Sequence, residues 1–375
     1  MADRSRIEWT TATWNPIVGC SLVSPGCTHC YAMKQAARIE AMYVGANLKG
    51  GGGAPFPPSP YAGVTRDSMA GPVWTGKIGV VDDSAFTKPL RWKRPRSIFV
   101  NSMGDPFHEA VPDAAIDRVF AVMALCPQHT FQVLTKRSPR MRRYISGLAA
   151  ERIAAVAHGL FDERNPHSRS ERLVPMFFNR THDWWRIAIE DVRRASLPLA
   201  NVYLGVSAED QRRADERRED LFALAERGWT TFVSYEPALG PVNWTPWGFI
   251  DWLISGGESG PNARPSHPDW HRAARDFCAA RAIAYFFKQW GAWAPCAPDA
   301  AQSEHCGWTP LRGKLGGMAK PEELYPAAGA AYVHRVGKRC AGRLLDGVEH
   351  NAFPAAHPGR NQQSGRRAPG AADAA

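Results

Sequence analysis

Short apolar runs alternate with longer stretches of helical period along the middle of the chain. The runs at 97–101, 131–135, 202–207, 231–234, 252–255 and 284–287 are rich in β-branched and aromatic residues, and each predicts a strand. A further short strand is expected at 15–19. Between the runs, apolar residues recur at helical spacing over 113–125, 140–158, 181–194, 210–227 and 270–281, and earlier over 31–42. Strands spaced by helices imply right-handed βαβ units and a parallel sheet. Six or seven such units predict an α/β fold, a partial or full parallel (β/α) barrel over residues 1–293, with a doubly wound open sheet as the alternative.

Two stretches interrupt the rhythm. Residues 45–72 carry Gly50-Gly51-Gly52-Gly53 and Pro55-Phe56-Pro57-Pro58, a density that neither helix nor sheet tolerates. They are expected to form either a long loop or lid, or a disordered insertion. Residues 161–180 are polar, basic and irregular, and read as an insertion between two helices. After Trp293 the alternation weakens, so 294–354 is expected to be a C-terminal appendage and 355–375 a disordered tail.

The composition adds little to this. Over 375 residues, 44% are apolar and 22% charged, the balance of a soluble globular protein. No apolar run approaches the roughly 20 residues of a membrane span, and the N-terminus has no apolar signal core. A cytosolic protein is expected, in which thiols stay reduced. The net charge of +10 permits a nucleic-acid or other anionic partner without requiring one.

In a parallel β/α protein, functional side chains gather at the C-terminal ends of the strands. Here each apolar run ends in small, polar or charged residues, among them Asp105, Lys136, Ser207, Glu236, Glu258 and Lys288. Helix capping accounts for Ser207 and Ser138. It accounts poorly for Glu236, which precedes a proline, and for Lys288, which precedes Gln-Trp-Gly. On a barrel, Asp105, Lys136, Glu236, Glu258 and Lys288 would share one rim.

Three of the eight cysteines, Cys20, Cys27 and Cys30, fall within eleven residues. In a reducing compartment such a cluster favours a metal site over disulfides. Three thiolates could ligate three irons of a [4Fe–4S] cluster and leave one iron free for a substrate or cofactor. A structural zinc needs a fourth ligand, for which His29 is the candidate. Incidental free thiols are the third reading.

The cysteine loop at the start of a β/α barrel resembles the radical S-adenosylmethionine (radical SAM) superfamily. The usual spacing there is C-x3-C-x2-C; this chain has C-x6-C-x2-C, and His29 stands where an aromatic residue is usual. The stretches 101–109 and 132–137 resemble strand ends of the branch containing spore photoproduct lyase. With Trp14-Asn15-Pro16, Ser234-Tyr235-Glu236-Pro237, Ser255-Gly256-Gly257-Glu258, Phe287-Lys288-Gln289-Trp290-Gly291 and 337–343, they also resemble a phage- and prophage-associated family with a three-cysteine motif.

The resemblance implies a [4Fe–4S] cluster on Cys20, Cys27 and Cys30, S-adenosylmethionine as cofactor, hydrogen abstraction from a substrate, and an electron-donor protein as partner. It makes Asp105 the candidate for the cofactor's amino group, with a turn residue before Pro106 as the alternative. Ser207 and Glu236 become candidates for the ribose hydroxyls, and Lys136 and Lys288 for a carboxylate or phosphate. The Gly-Gly-Glu at 256–258 follows a later strand than the superfamily's, so that motif's role is not carried over to it. Relatives of spore photoproduct lyase act on DNA, and the basic run 88–96 could track phosphates while Trp92 stacks on a base. The same run also reads as a solvated connection into the strand at 97. Two further readings stand beside this one: a zinc-stabilised nucleic-acid-binding protein, and a metal-dependent hydrolase or nuclease using Asp105, His108 and Glu109.

Overall fold

Seven parallel strands in sequential order form the central sheet of the computed structural model: β1 (Ala12–Trp14), β2 (Ser97–Val100), β3 (Thr130–Thr135), β4 (Val202–Ser207), β5 (Thr230–Tyr235), β6 (Trp252–Gly256) and β7 (Ala284–Gln289). Each strand pairs with its chain neighbour. A doubly wound sheet reverses its order at a switch point. This order never reverses, so the barrel reading holds and the doubly wound alternative does not. The sheet has two free ends, β1 and β7, so it forms a partial barrel. The structure describes residues 5, 7–49, 58–161, 189–193, 197–296, 322–324, 329 and 331–355.

The strands form because their side chains are buried on both faces, as in β5 and β6, where every residue is buried. On the outer face they pack against α2 (Asp113–Ala124), α3 (Ser138–Ser146), α4 (Ala150–Phe161), α5 (Gln211–Glu226) and α6 (Pro268–Ala280). Asp210 caps α5 by accepting from Arg213 N, and His267 caps α6 by accepting from Asp269 N. On the inner face, Trp9, Phe232, Trp252, Ile254 and Phe286 form a separate buried cluster. Gly205 is required there, because a Cβ at that position would lie 2.4 Å from the Phe232 ring. The aromatic cluster fills one end of the half-barrel and leaves the C-terminal ends of the strands open.

Several expectations are corrected. The strand expected at 15–19 lies earlier, at β1. Ile17–Val18 pairs instead with Gly79–Val80, antiparallel and outside the sheet. The helix expected over 140–158 is two helices, because Gly147 ends α3 and the chain restarts at Ala150. The helix after the cysteines, α1 (Tyr31–Lys49), runs past Gly45 into the expected loop. Farther along that segment Thr65–Arg66 pairs with Val73–Trp74. The helix expected at 181–194 and the 161–180 insertion fall almost wholly outside the described residues, as does the tail from 356.

The C-terminal segment returns to the sheet. Trp293–Cys296, Ala331–Arg335 and Glu322–Leu324 make a small antiparallel sheet. Asn351 then bridges Phe286, and Phe287 N donates to His350 O, which covers part of the free edge of β7.

Candidate functional site

The loop from Cys20 to Cys30 is held down at four places along its length. Ser21 Oγ accepts from Arg137 Nη2 at 2.7 Å. Ser24 Oγ donates to Glu209 Oε1 at 2.7 Å. The Pro25 carbonyl accepts from Arg264 Nη2 at 2.9 Å, and His29 Nδ1 stands 3.3 Å from Glu258 Oε2. Arg137, Glu209 and Glu258 follow β3, β4 and β6 respectively, so the loop is fastened to the C-terminal rim of the sheet. Gly26 has to be glycine, because a Cβ there would come within 2.6 Å of Glu209 Oε1. The residues of the long first cysteine gap include Ser21, Ser24 and Pro25, and these make three of the four attachments.

The anchors are buried and charged. Glu209 is fully buried; its Oε2 accepts from Arg217 Nη1 at 2.8 Å, and Lys136 Nζ bonds Oε1. Burial alone would raise its pKa, but Lys136 and Arg217 outweigh burial and hold it at about 2. Glu258 accepts from Arg264 Nη2 at 2.6 Å and from Arg264 Nε at 2.8 Å. Burial works against this carboxylate too, and its bonds to Arg264 keep it below the ordinary range.

One cavity of about 440 Å³ opens at this rim, within the size range of small-molecule sites. Cys20, Cys27, Cys30, Asp105, Lys136, Ser207, Glu236 and Lys288 all line it, as does Glu258. The strand-end residues singled out in the sequence are therefore brought together with the cysteines. Lys288 Nζ donates to both Glu236 oxygens, at 2.6 and 2.9 Å. Lys338 of the appendage lines the same cavity and pairs with Glu8 at 2.9 Å.

Asp105 has a different setting from the one its candidate role requires. Its carboxylate accepts from Phe107 N, Thr135 Oγ1, Lys136 N and Arg137 Nη1 at 2.9, 2.7, 3.1 and 3.1 Å. Four donors use up the acceptor sites of a carboxylate. Asp105 therefore ties the end of β2 to the end of β3.

The thiols of Cys20, Cys27 and Cys30 are free. Burial, helped by nearby Asp105, pushes Cys20 up to about 12, against the opposing pull of Arg137. Burial also raises Cys30, and Cys27 adds to the rise at both of the other thiols. Buried thiols become thiolates when a cation or metal cluster sits among them, and three free cysteines on one cavity suit such a group. Among the described residues no three of His, Cys, Asp and Glu converge to hold a single ion. Thiolates on one tetrahedral zinc stand about 3.8 Å apart, whereas each cysteine of a [4Fe–4S] cluster takes its own iron. His29, the expected fourth zinc ligand, turns its Nδ1 toward Glu258.

The hydrolase reading finds no support in the side chains named for it. Asp105 and Glu109 both bond Arg137. His108 Nδ1 accepts from Ala110 N, which puts the neutral ring's proton on Nε2, facing Ser21 Oγ at 2.9 Å. The base-stacking role for Trp92 is also corrected. Its ring is buried, with Arg96 and Lys88 over it at 4.8 and 5.7 Å and His129 at its edge.

Arg137, Glu209 and Arg264 were not among the sequence candidates. Arg137 immediately follows Lys136, and Glu209 stands two residues after Ser207, so the strand-end rule could have included both. The chain belongs to a family described as "Protein of unknown function (DUF5131)", whose profile matches residues 4–354. No curated protein and no solved structure matches it.

Proposed function

We propose that this chain is a radical SAM enzyme in which Cys20, Cys27 and Cys30 hold a [4Fe–4S] cluster beside a cofactor cavity on the rim of a partial barrel. The observation that carries the reading is the convergence of three free cysteines and the charged strand ends on one cavity. The three-cysteine resemblance supports it. Held by Cys20, Cys27 and Cys30, such a cluster would supply the electron for reductive cleavage of S-adenosylmethionine and so the radical chemistry that removes a hydrogen atom from the substrate.

The chain's own residues bind, orient and shield. Ser21, Ser24, Pro25 and His29 hold the cysteine loop in place before any ligand arrives, so less ordering accompanies binding. The lysine–glutamate pair Lys288–Glu236 presents a cation and an anion side by side, which suits a zwitterionic amino-acid group or a ribose diol. Lys136 presents a second cation, shared with Glu209. Trp9, Phe99 and Leu134 form an apolar wall that keeps water from a reactive radical. Such a site needs an electron-donor protein. The net charge of +10 suits an anionic substrate, of which nucleic acid is the class the resemblance points to.

The test is anaerobic reconstitution with iron and sulfide. About four irons per chain and a cluster-type absorption and electron-spin spectrum support the proposal; a colourless protein that retains one zinc contradicts it.

A further inference from the structure

We infer that Arg137 is a positioning residue that sets the electron affinity of the metal site through Cys20. The inference rests on the cluster reading above and concerns how that site is tuned. Arg137 is buried, and its guanidinium spends every edge on the cysteine loop and the rim. Nε donates to Glu109 Oε2 at 2.8 Å, Nη1 to Asp105 Oδ2 at 3.1 Å, and Nη2 to Ser21 Oγ at 2.7 Å. Nη1 also points at Cys20 Sγ at 3.6 Å, within reach of a hydrogen bond to sulfur. Cys27 Sγ, by contrast, faces the neutral Ser24 hydroxyl at 3.7 Å.

A donor on a ligating sulfur, and a positive charge beside it, both stabilise extra negative charge on the cluster. The reduced state therefore gains more than the oxidised state, and the potential rises. Asp105 works in the opposite direction. Its carboxylate accepts from Arg137 Nη1 at 3.1 Å, the same nitrogen that points at Cys20 Sγ, so Arg137 is the cation that stands between them. Losing the guanidinium would remove the donor and expose Cys20 to Asp105, and both changes act in the same direction. A planar fork is what allows one side chain to hold Asp105, Ser21 and the sulfur together; a lysine ammonium cannot match all three. On the opposite edge, Glu109 is 68% exposed and draws on the same guanidinium. Neutralising Glu109 leaves more of the charge for Asp105 and Cys20.

The experiment is redox titration of the reconstituted protein, followed by its electron-spin spectrum, in wild type, R137M, R137K and E109Q. The expected result is a negative shift of the midpoint in R137M, a smaller negative shift in R137K, and a positive shift in E109Q, with iron content unchanged in E109Q. Because Glu109 is exposed, that variant reads out even where R137M does not fold. Midpoints of R137K and E109Q equal to wild type, with full iron content, would overturn the inference while leaving the proposed function standing. A wild-type chain that takes up no iron would overturn both, and is recognised by its lack of colour before any titration.

Discussion

Ser24 Oγ donates to Glu209 Oε1 at 2.7 Å, although 185 positions separate the two residues. This bond joins the middle of the cysteine loop to the end of β4. Glu209 also holds Arg217 and Lys136, so the loop rests on a buried charge network. Removing one partner of such a network strands the others. E209A is expected to lower stability by about 3–5 kcal/mol, and S24A by about 1 kcal/mol. Urea unfolding of both variants reads the difference, and equal midpoints would contradict the network.

The same carboxylate sets an acid limit. Its folded pKa, about 2, lies below the ordinary value of 4.5. The unfolded state then binds the proton more readily, so stability rises with pH across this interval. The contribution is fully present above about 4.5 and is lost as the pH falls through about 2. Thermal melts between pH 2 and 6 should be steeper in wild type than in E209Q. Parallel profiles would show that Glu209 is not held ionised in the folded chain.

The apolar runs buried on both faces were legible as strands because no other element uses that pattern at that length. Gly147 was not read as a helix end, because one glycine in a helical period is tolerated elsewhere. β1 was misplaced because three residues, Ala12–Trp14, carry too little periodicity. At the site, the cysteines and the strand-end charges could be read from local order. The anchors could not: Arg264 reaches Pro25 across 239 positions, and only the assembled sheet brings them together. Asp105 shows the complementary limit, since its position was legible but its four donors were not.

The Lys288–Glu236 pair is expected to contact the cofactor. K288M removes a charged donor from the cavity wall, and loss of a charge-assisted bond corresponds to about a 10- to 100-fold weaker affinity. Equilibrium dialysis of S-adenosylmethionine with reconstituted K288M measures it. Unchanged affinity would move the cofactor away from this end of the cavity.

Trp92 lies under Arg96 and Lys88, so W92A should lower stability by about 3–5 kcal/mol, as for other buried tryptophans. Circular-dichroism melts read that loss. A variant of wild-type stability with selectively weakened nucleic-acid binding would restore the stacking role.

Each of C20A, C27A and C30A should lose the iron bound after reconstitution, while C296A, in the small antiparallel sheet, should keep it. Iron analysis after gel filtration separates the four, and full iron in C27A would exclude the assigned ligand set.

The central claim is tested most directly by incubating the reconstituted wild-type protein with S-adenosylmethionine and dithionite without oxygen and measuring 5′-deoxyadenosine. The account predicts its release, with methionine in equal amount, and none from C27A. A wild-type protein that carries four irons yet releases no 5′-deoxyadenosine, or a C27A variant that releases as much, would contradict it.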